Sequence, residues 1–127
     1  GGFAAILFAA LIGKNCQAVA FAPQTFIHPI KRFKLKDKRW NREILKTYSK
    51  TLFRKKYFDL SRLDPSDDNW SARILVSGRH RLDLLHAKNI AHLPQVNIEE
   101  FDCDGHRLVK KLRDEGKLAG IFDSDYC

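Results

Sequence analysis

The chain has 127 residues, a formal net charge of +8, and 44% hydrophobic against 30% charged residues. Those are the proportions of a globular protein with one modest core. Three cysteines, Cys16, Cys103 and Cys127, are odd in number and widely separated, which argues against a disulfide framework or a metal-ligand pattern and suits a reducing, cytoplasmic compartment.

Phe3 to Ile12 (FAAILFAALI) is apolar all round and rich in strong helix formers, so it predicts a helix buried on several sides, stopped by Gly13. It is far short of the roughly 20 residues a membrane span needs, and no membrane partner is expected. Gln17 to Phe21 reads as a short buried strand ended by Pro23, and Pro29 opens an irregular passage. Residues 31–56 then hold twelve Lys or Arg and two acids, a local +10 that leaves −2 for the rest. Such a segment can meet nucleic acid or an anionic surface, but the plainer expectation is the solvated face of a helix in an insertion.

Within it, Trp40 to Phe53 has helical spacing, with Trp40, Ile44, Leu45, Tyr48 and Leu52 on one face. Asp59 to Asn69 is a loop by composition. Ala72 to Ser77 is an apolar, β-branched strand, and Gly78 breaks it. Leu82 to Leu93 predicts a helix facing inward with Leu82, Leu85, Ala87, Ile90 and Leu93. Val96 to Phe101 is the next strand. Arg107 to Asp114 is a helix with Leu108, Val109 and Leu112 inside, ended by Gly116, and Leu118 to Cys127 starts a further element. Helix, strand, insertion, strand, helix, strand, helix is the order of an α/β protein with a parallel sheet flanked by helices.

Four pieces, in order, resemble the C-terminal half of an α/β-hydrolase-fold serine hydrolase: GGFAAILFAALIG, AVAFAPQTF, ARILVSGRHRLDLLHAKNI and QVNIEEFDCDGHRLVKKLRDEGKL. The first is similar to the residues after the serine of a Gly-x-Ser-x-Gly nucleophile elbow. Together they cover most of the chain outside residues 28–60, a basic segment placed like the cap insertion of that fold. The resemblance implies one partial domain over residues 1–127, its nucleophile lying upstream of Gly1. The absence of Met accords with a chain that begins inside a longer one.

The chemistry explains the order of the pieces. A serine needs a base within hydrogen-bond reach, and the base needs a carboxylate to hold its tautomer. In this fold the chain order is serine, acid, histidine. The resemblance therefore implies Asp83 as the acid after one strand and His106 as the base after the next. Gly1 and Gly2 belong to the elbow, where crowding excludes a Cβ. Asp102 and Asp104 are fallback acids. His86 and His92 are expected as packing or solvent residues, and His80 as a candidate substrate contact. Trp40, Tyr48, Phe53 and Tyr57 belong to the local core of the insertion or to a cap over the pocket. The implied activity is esterase-like hydrolysis of a small ester or acylated substrate, with no cofactor and no metal.

Two rival readings stand beside it. Ser77-Gly78-Arg79-His80-Arg81-Leu82 resembles the GxHR stretch of ParB-like nucleotide-binding domains, which would join the basic segment in a nucleotide- or DNA-binding module. The chain could also be a non-catalytic truncated fragment. Under the hydrolase reading nucleic acid is not an expected partner.

Overall fold

The computed structural model describes residues 1–50 and 55–123, with the side chains of Lys55, His106 and Asp123 outside the described set. Helix α1 (Gly2–Ile12) ends at Gly13, whose φ of 61° is left-handed and whose amide donates to the Ala9 carbonyl. Strand β1 (Cys16–Phe21) comes next. The basic segment supplies α2 (Pro29–Lys34) and α3 (Asn41–Lys50), and two 3-10 turns (Lys55–Phe58 and Leu60–Arg62) lead out of it. Then come β2 (Trp70–Ser77), α4 (Arg81–Ile90), β3 (Val96–Phe101), a 3-10 turn over Gly105–Arg107, α5 (Leu108–Asp114) and α6 (Leu118–Asp123).

The sheet is three-stranded and all parallel, in the order β1-β2-β3. Ala18 faces Ala72 across the first ladder, and Ile74 faces Ile98 across the second. A parallel sheet needs cover on both faces, and the sequence provides it by strand alternation. Ala18, Ala20, Ala72, Ile74 and Val76 point to one face, where Ile6 and Ala9 of α1 and Ala87 and Ile90 of α4 pack on them. Leu75, with Val19, Phe21 and Phe101, points to the other, under Leu108 and Leu112 of α5 and Ile121 of α6. The small alanines of β1 let α1 lie close against the sheet.

Between β1 and β2 the chain leaves the layered core and returns. The two stems of this excursion run antiparallel: Ile27 N–H donates to Phe58 O at 2.7 Å, and Leu60 N–H to Thr25 O at 2.8 Å. Inside the excursion Tyr48 packs edge-on against His28 and tilted against Phe58, and Ile44 is buried, so a small local core forms there.

Several expectations are corrected. Pro29 does not open an irregular stretch. It sits in the first turn of α2, where its fixed φ suits a helix and its missing N–H costs nothing. Trp40 and Leu45 do not join Ile44 inside: Trp40 has a φ of 56°, lies before the helix and is exposed, as is Leu45. Val109 is exposed beside buried Leu108 and Leu112. The all-apolar α1 is covered on one side only, leaving Phe8, Leu11 and Ile12 exposed. Leu52 and Phe53, and the last residues of the chain including Cys127, lie outside the described residues.

Ile74 is wholly buried at the centre of the middle strand. Ile74→Ala should lower the unfolding free energy by about 2–5 kcal/mol. The exposed Val109→Ala should cost less than about 1 kcal/mol, both read from urea midpoints.

Candidate functional site

In an open parallel sheet, ligands gather beyond the carboxyl ends of the strands. Here three connections meet at that edge. The N-terminus of α1 lies against the end of β1: a Cβ added at Gly2 would stand 2.7 Å from Pro23 Cβ and 3.3 Å from Ala20 Cβ, whereas nothing lies within 4 Å of Gly1. Asp83 sits in the first turn of α4, just after β2. The Gly105–Arg107 turn comes after β3 and folds back onto Asp83. A Cβ at Gly105 would approach Asp83 Oδ2 and His80 Cγ at 3.0 Å each, so the glycine permits the close approach. The backbone of His106 is part of this turn, while its side chain lies outside the described residues.

The end of β1, the start of α4 and the Gly105–Arg107 turn border a cleft of about 260 Å³, which α1 does not line. Phe21, Leu108 and Val109 give it apolar walls, and Gln24, Arg39, His80 and Asp83 give it polar groups. Ala22 and Trp40 also line it, with φ values of 44° and 56°. Residues other than glycine rarely hold such angles; Lys14, Asn15 and Lys36 also hold them, away from the cleft. Gln24 Nε2 is shielded from solvent and has no hydrogen-bond partner among the described residues.

Asp83 is buried, and its Oδ1 accepts from Arg39 Nη1 at 3.0 Å. His80 Nδ1 lies 3.0 Å from the same oxygen. It is also 3.4 Å from the Asp83 amide, which already donates to the His80 carbonyl at 3.0 Å. Nδ1 accepts from that amide, so His80 caps the N-terminus of α4. Asp83 Oδ2 faces the Gly105 turn.

Behind Asp83 runs a buried network that the pattern of the sequence does not announce. Arg39 also donates from Nε to Asp37 Oδ1 at 3.2 Å. Asp37 Oδ2 lies 2.7 Å from His86 Nε2, and both side chains are fully buried. The amide of Thr25 donates to His86 Nδ1 at 2.9 Å, so Nδ1 is the acceptor and Nε2 carries the proton given to Asp37. Arg32, also buried, places Nη1 3.4 Å from Asp37 Oδ2, and its Nη2 donates to the Arg39 carbonyl. Further out, Asn89 donates to Thr25 Oγ1 at 3.1 Å and to Asp59 Oδ1 at 2.9 Å, and Asp59 pairs with Lys31.

Burial alone would raise the Asp37 carboxyl, but the hydrogen bonds from His86 and Arg39 outweigh it and hold the group at about 2. The same contest at Asp59, with Lys31, Asn89 and Ser61 as donors, also ends at about 2. Burial pushes the His86 imidazole below its ordinary range, against the pull of Asp37, so it is neutral.

Arg32, Asp37 and Arg39 thus depart from the solvated charged face expected of the basic run. His86, expected as a packing or solvent residue, is a packed one, stacked on Phe26 with ring centroids 4.1 Å apart. The sequence does hold one signal for the network: Asp83, His86 and Ile90 have helical spacing on the inward face of α4, and an acid and a histidine on such a face call for buried partners. Of the other candidates, Asp102 pairs with Arg79 at the surface, Asp104 is exposed, and His92 Nε2 lies 3.0 Å from the Ser61 carbonyl. Tyr48 belongs to the local core of the excursion, and Phe53 lies outside the described residues. Among the described residues no His, Cys, Asp and Glu cluster could hold a metal ion, and no helix is long and apolar enough to cross a membrane. The two described cysteines, Cys16 and Cys103, are free thiols.

The sequence matches no protein-family model, and neither the curated proteins nor the solved structures include a significant match.

The network makes two predictions. Asp37→Asn keeps an acceptor for His86 but leaves buried Arg32 without its counter-charge, and should cost about 3–5 kcal/mol in urea unfolding. In the unsubstituted chain His86 has a depressed folded value, so its contribution is complete above pH 6.5 and falls as pH drops below that. The contributions of Asp37 and Asp59 are complete above the ordinary carboxyl value of 3.8 and are lost as pH falls toward about 2. Stability measured against pH should therefore fall in two steps on the acid side, the lower step smaller in Asp37→Asn.

Proposed function

We propose that this chain is the C-terminal half of an α/β-hydrolase-fold serine hydrolase acting on ester-like acyl substrates. The observation that carries the reading is the close approach of Asp83 and the His106 turn at the carboxyl ends of β2 and β3, with the N-terminus of α1 lying at the corresponding end of β1. They occur there in the order elbow, acid, base that this chemistry uses. Its support includes the position of β2, parallel between β1 and β3.

In this reading a serine upstream of Gly1 attacks the carbonyl. His106 takes its proton and returns it to the leaving group. Asp83 orients the imidazole and stabilises its cation, with Oδ2 as the oxygen facing the histidine turn. Arg39 donates to Oδ1 and so limits the carboxylate to one working rotamer. The backbone N–H of the residue after the serine, which like the serine lies upstream of Gly1 in this reading, supplies the first oxyanion donor. The apolar walls of the cleft accept the acyl or alcohol part of the substrate. No cofactor or metal enters this scheme.

The nucleotide-binding alternative draws less from the site. Arg79 is balanced by Asp102, and Arg81 reaches the Leu35 carbonyl at 3.4 Å, so neither guanidinium is directed to a common phosphate position.

The test is labelling of the protein as encoded with a serine-reactive phosphonate, the modified residue being located by mass spectrometry. The expected site is a serine just before Gly1. In the same protein His106→Ala should abolish hydrolysis of 4-nitrophenyl esters, and Asp83→Asn should lower kcat by about 10³–10⁴-fold with KM little changed. Absence of labelling, or full turnover in His106→Ala, would remove the hydrolase reading.

A further inference from the structure

The α2–α3 excursion carries a surface that the hydrolase reading does not use. A groove of about 1010 Å³ runs between the two helices, with Ile30, Phe33 and Leu45 along it and Lys34, Lys36 and Lys38 at its edges. Ile30 is 61% exposed, Phe33 86% and Leu45 49%. Trp40, at the end of the same loop, is 68% exposed and opens on the cleft. Large apolar side chains held this far out in water are unusual on a lone soluble surface and mark contact sites.

Their surroundings are one-signed. Lys31, Arg32 and Arg39 face inward and spend their charge on Asp59, Asp37 and Asp83. Lys34, Lys36, Lys38, Arg42 and Lys46 remain exposed and make no ion pair among the described residues, and Glu43 is the one exposed acid among residues 30–50. Aromatic and aliphatic tips ringed by long cationic side chains form the pattern of a segment lying in an anionic membrane interface. The apolar tips enter the acyl boundary, and the ammonium groups stay at the level of the headgroups.

We infer that the α2–α3 excursion docks on an anionic lipid bilayer surface through Ile30, Phe33 and Leu45, with the exposed lysines as the electrostatic rim. The inference is independent of the hydrolase reading. It is compatible with the lack of a membrane-spanning helix among the described residues, because lying on a surface requires no spanning run. An anionic bilayer is favoured over a nucleic acid because Ile30 and Leu45 offer no flat face for base stacking. Trp40 links the surface to the cleft, so a docked chain would hold the cleft mouth near the lipid.

The test is co-sedimentation of the full chain with phosphatidylcholine vesicles, with and without about 30% phosphatidylglycerol. Binding should be at least about tenfold tighter to the anionic vesicles and should be lost in high salt. The double substitution Ile30→Ser with Phe33→Ser touches only exposed side chains and should weaken that binding by about tenfold or more while the thermal midpoint stays put. Of the two tryptophans, Trp70 is 3% exposed, so any blue shift on binding should come from Trp40 and vanish in Trp40→Phe. No preference for anionic vesicles would overturn the proposal. So would undiminished binding by the double variant, which would mean charge alone holds the chain. Tighter binding to a single-stranded oligonucleotide or to an acidic amphipathic peptide than to the vesicles, lost in the same double variant, would replace the bilayer with that partner.

Discussion

The Asp37 carboxylate is the constraint on which the outer half of the molecule depends. It is buried, ionised, and shared by His86 from α4 and by Arg32 and Arg39 from its own excursion. A carboxylate in such a place is stable only while every donor stays in position. Charge and hydrogen bonding thus do for the excursion what hydrophobic layers do for the sheet. They fix α2 and the loop after it against α4, and so fix Arg39 and Trp40 at the cleft.

That anchoring has a functional corollary. Asp83 would be a poorly defined carboxylate if it met only water at its outer oxygen. Arg39, itself held by Asp37, closes on Oδ1 and leaves Oδ2 toward the turn that carries His106. The chain of contacts from Thr25 through His86, Asp37 and Arg39 to Asp83 is therefore a support for the proposed triad acid. The left-handed Ala22 and Trp40 fit the same picture, because backbone strain persists where neighbours over-determine it.

Among the described residues, the cations of α2, α3 and the loop between them fall into two sets. Those turned inward meet acids and build the site. Those turned outward meet none and, with the exposed apolar groups between them, give the molecule one strongly cationic, amphiphilic surface. The two roles are separated by helix geometry: Arg32 is buried in α2 while Phe33 and Lys34, its next neighbours in sequence, project into water.

The layered sheet, its three parallel strands and the breaks after them were legible in the sequence, because alternation, helical spacing and Gly act over a few residues, whereas Pro29 gave no sign that it starts α2. Val96 to Phe101 could be read directly from its pattern, and the 3-10 turn carrying His106 sits between that strand and a helix, as its neighbours implied. Which charges of residues 31–56 lie inside was not legible. Arg32 and Asp37 look like any other members of a basic run, and the inward spacing of Asp83 and His86 on α4 calls for buried partners without saying which. Their burial depends on partners far along the chain, 44 residues apart for Arg39 and Asp83 and 49 for Asp37 and His86. Local composition records a residue's solubility, whereas the partner that makes a buried charge tolerable exists only once distant segments have packed together.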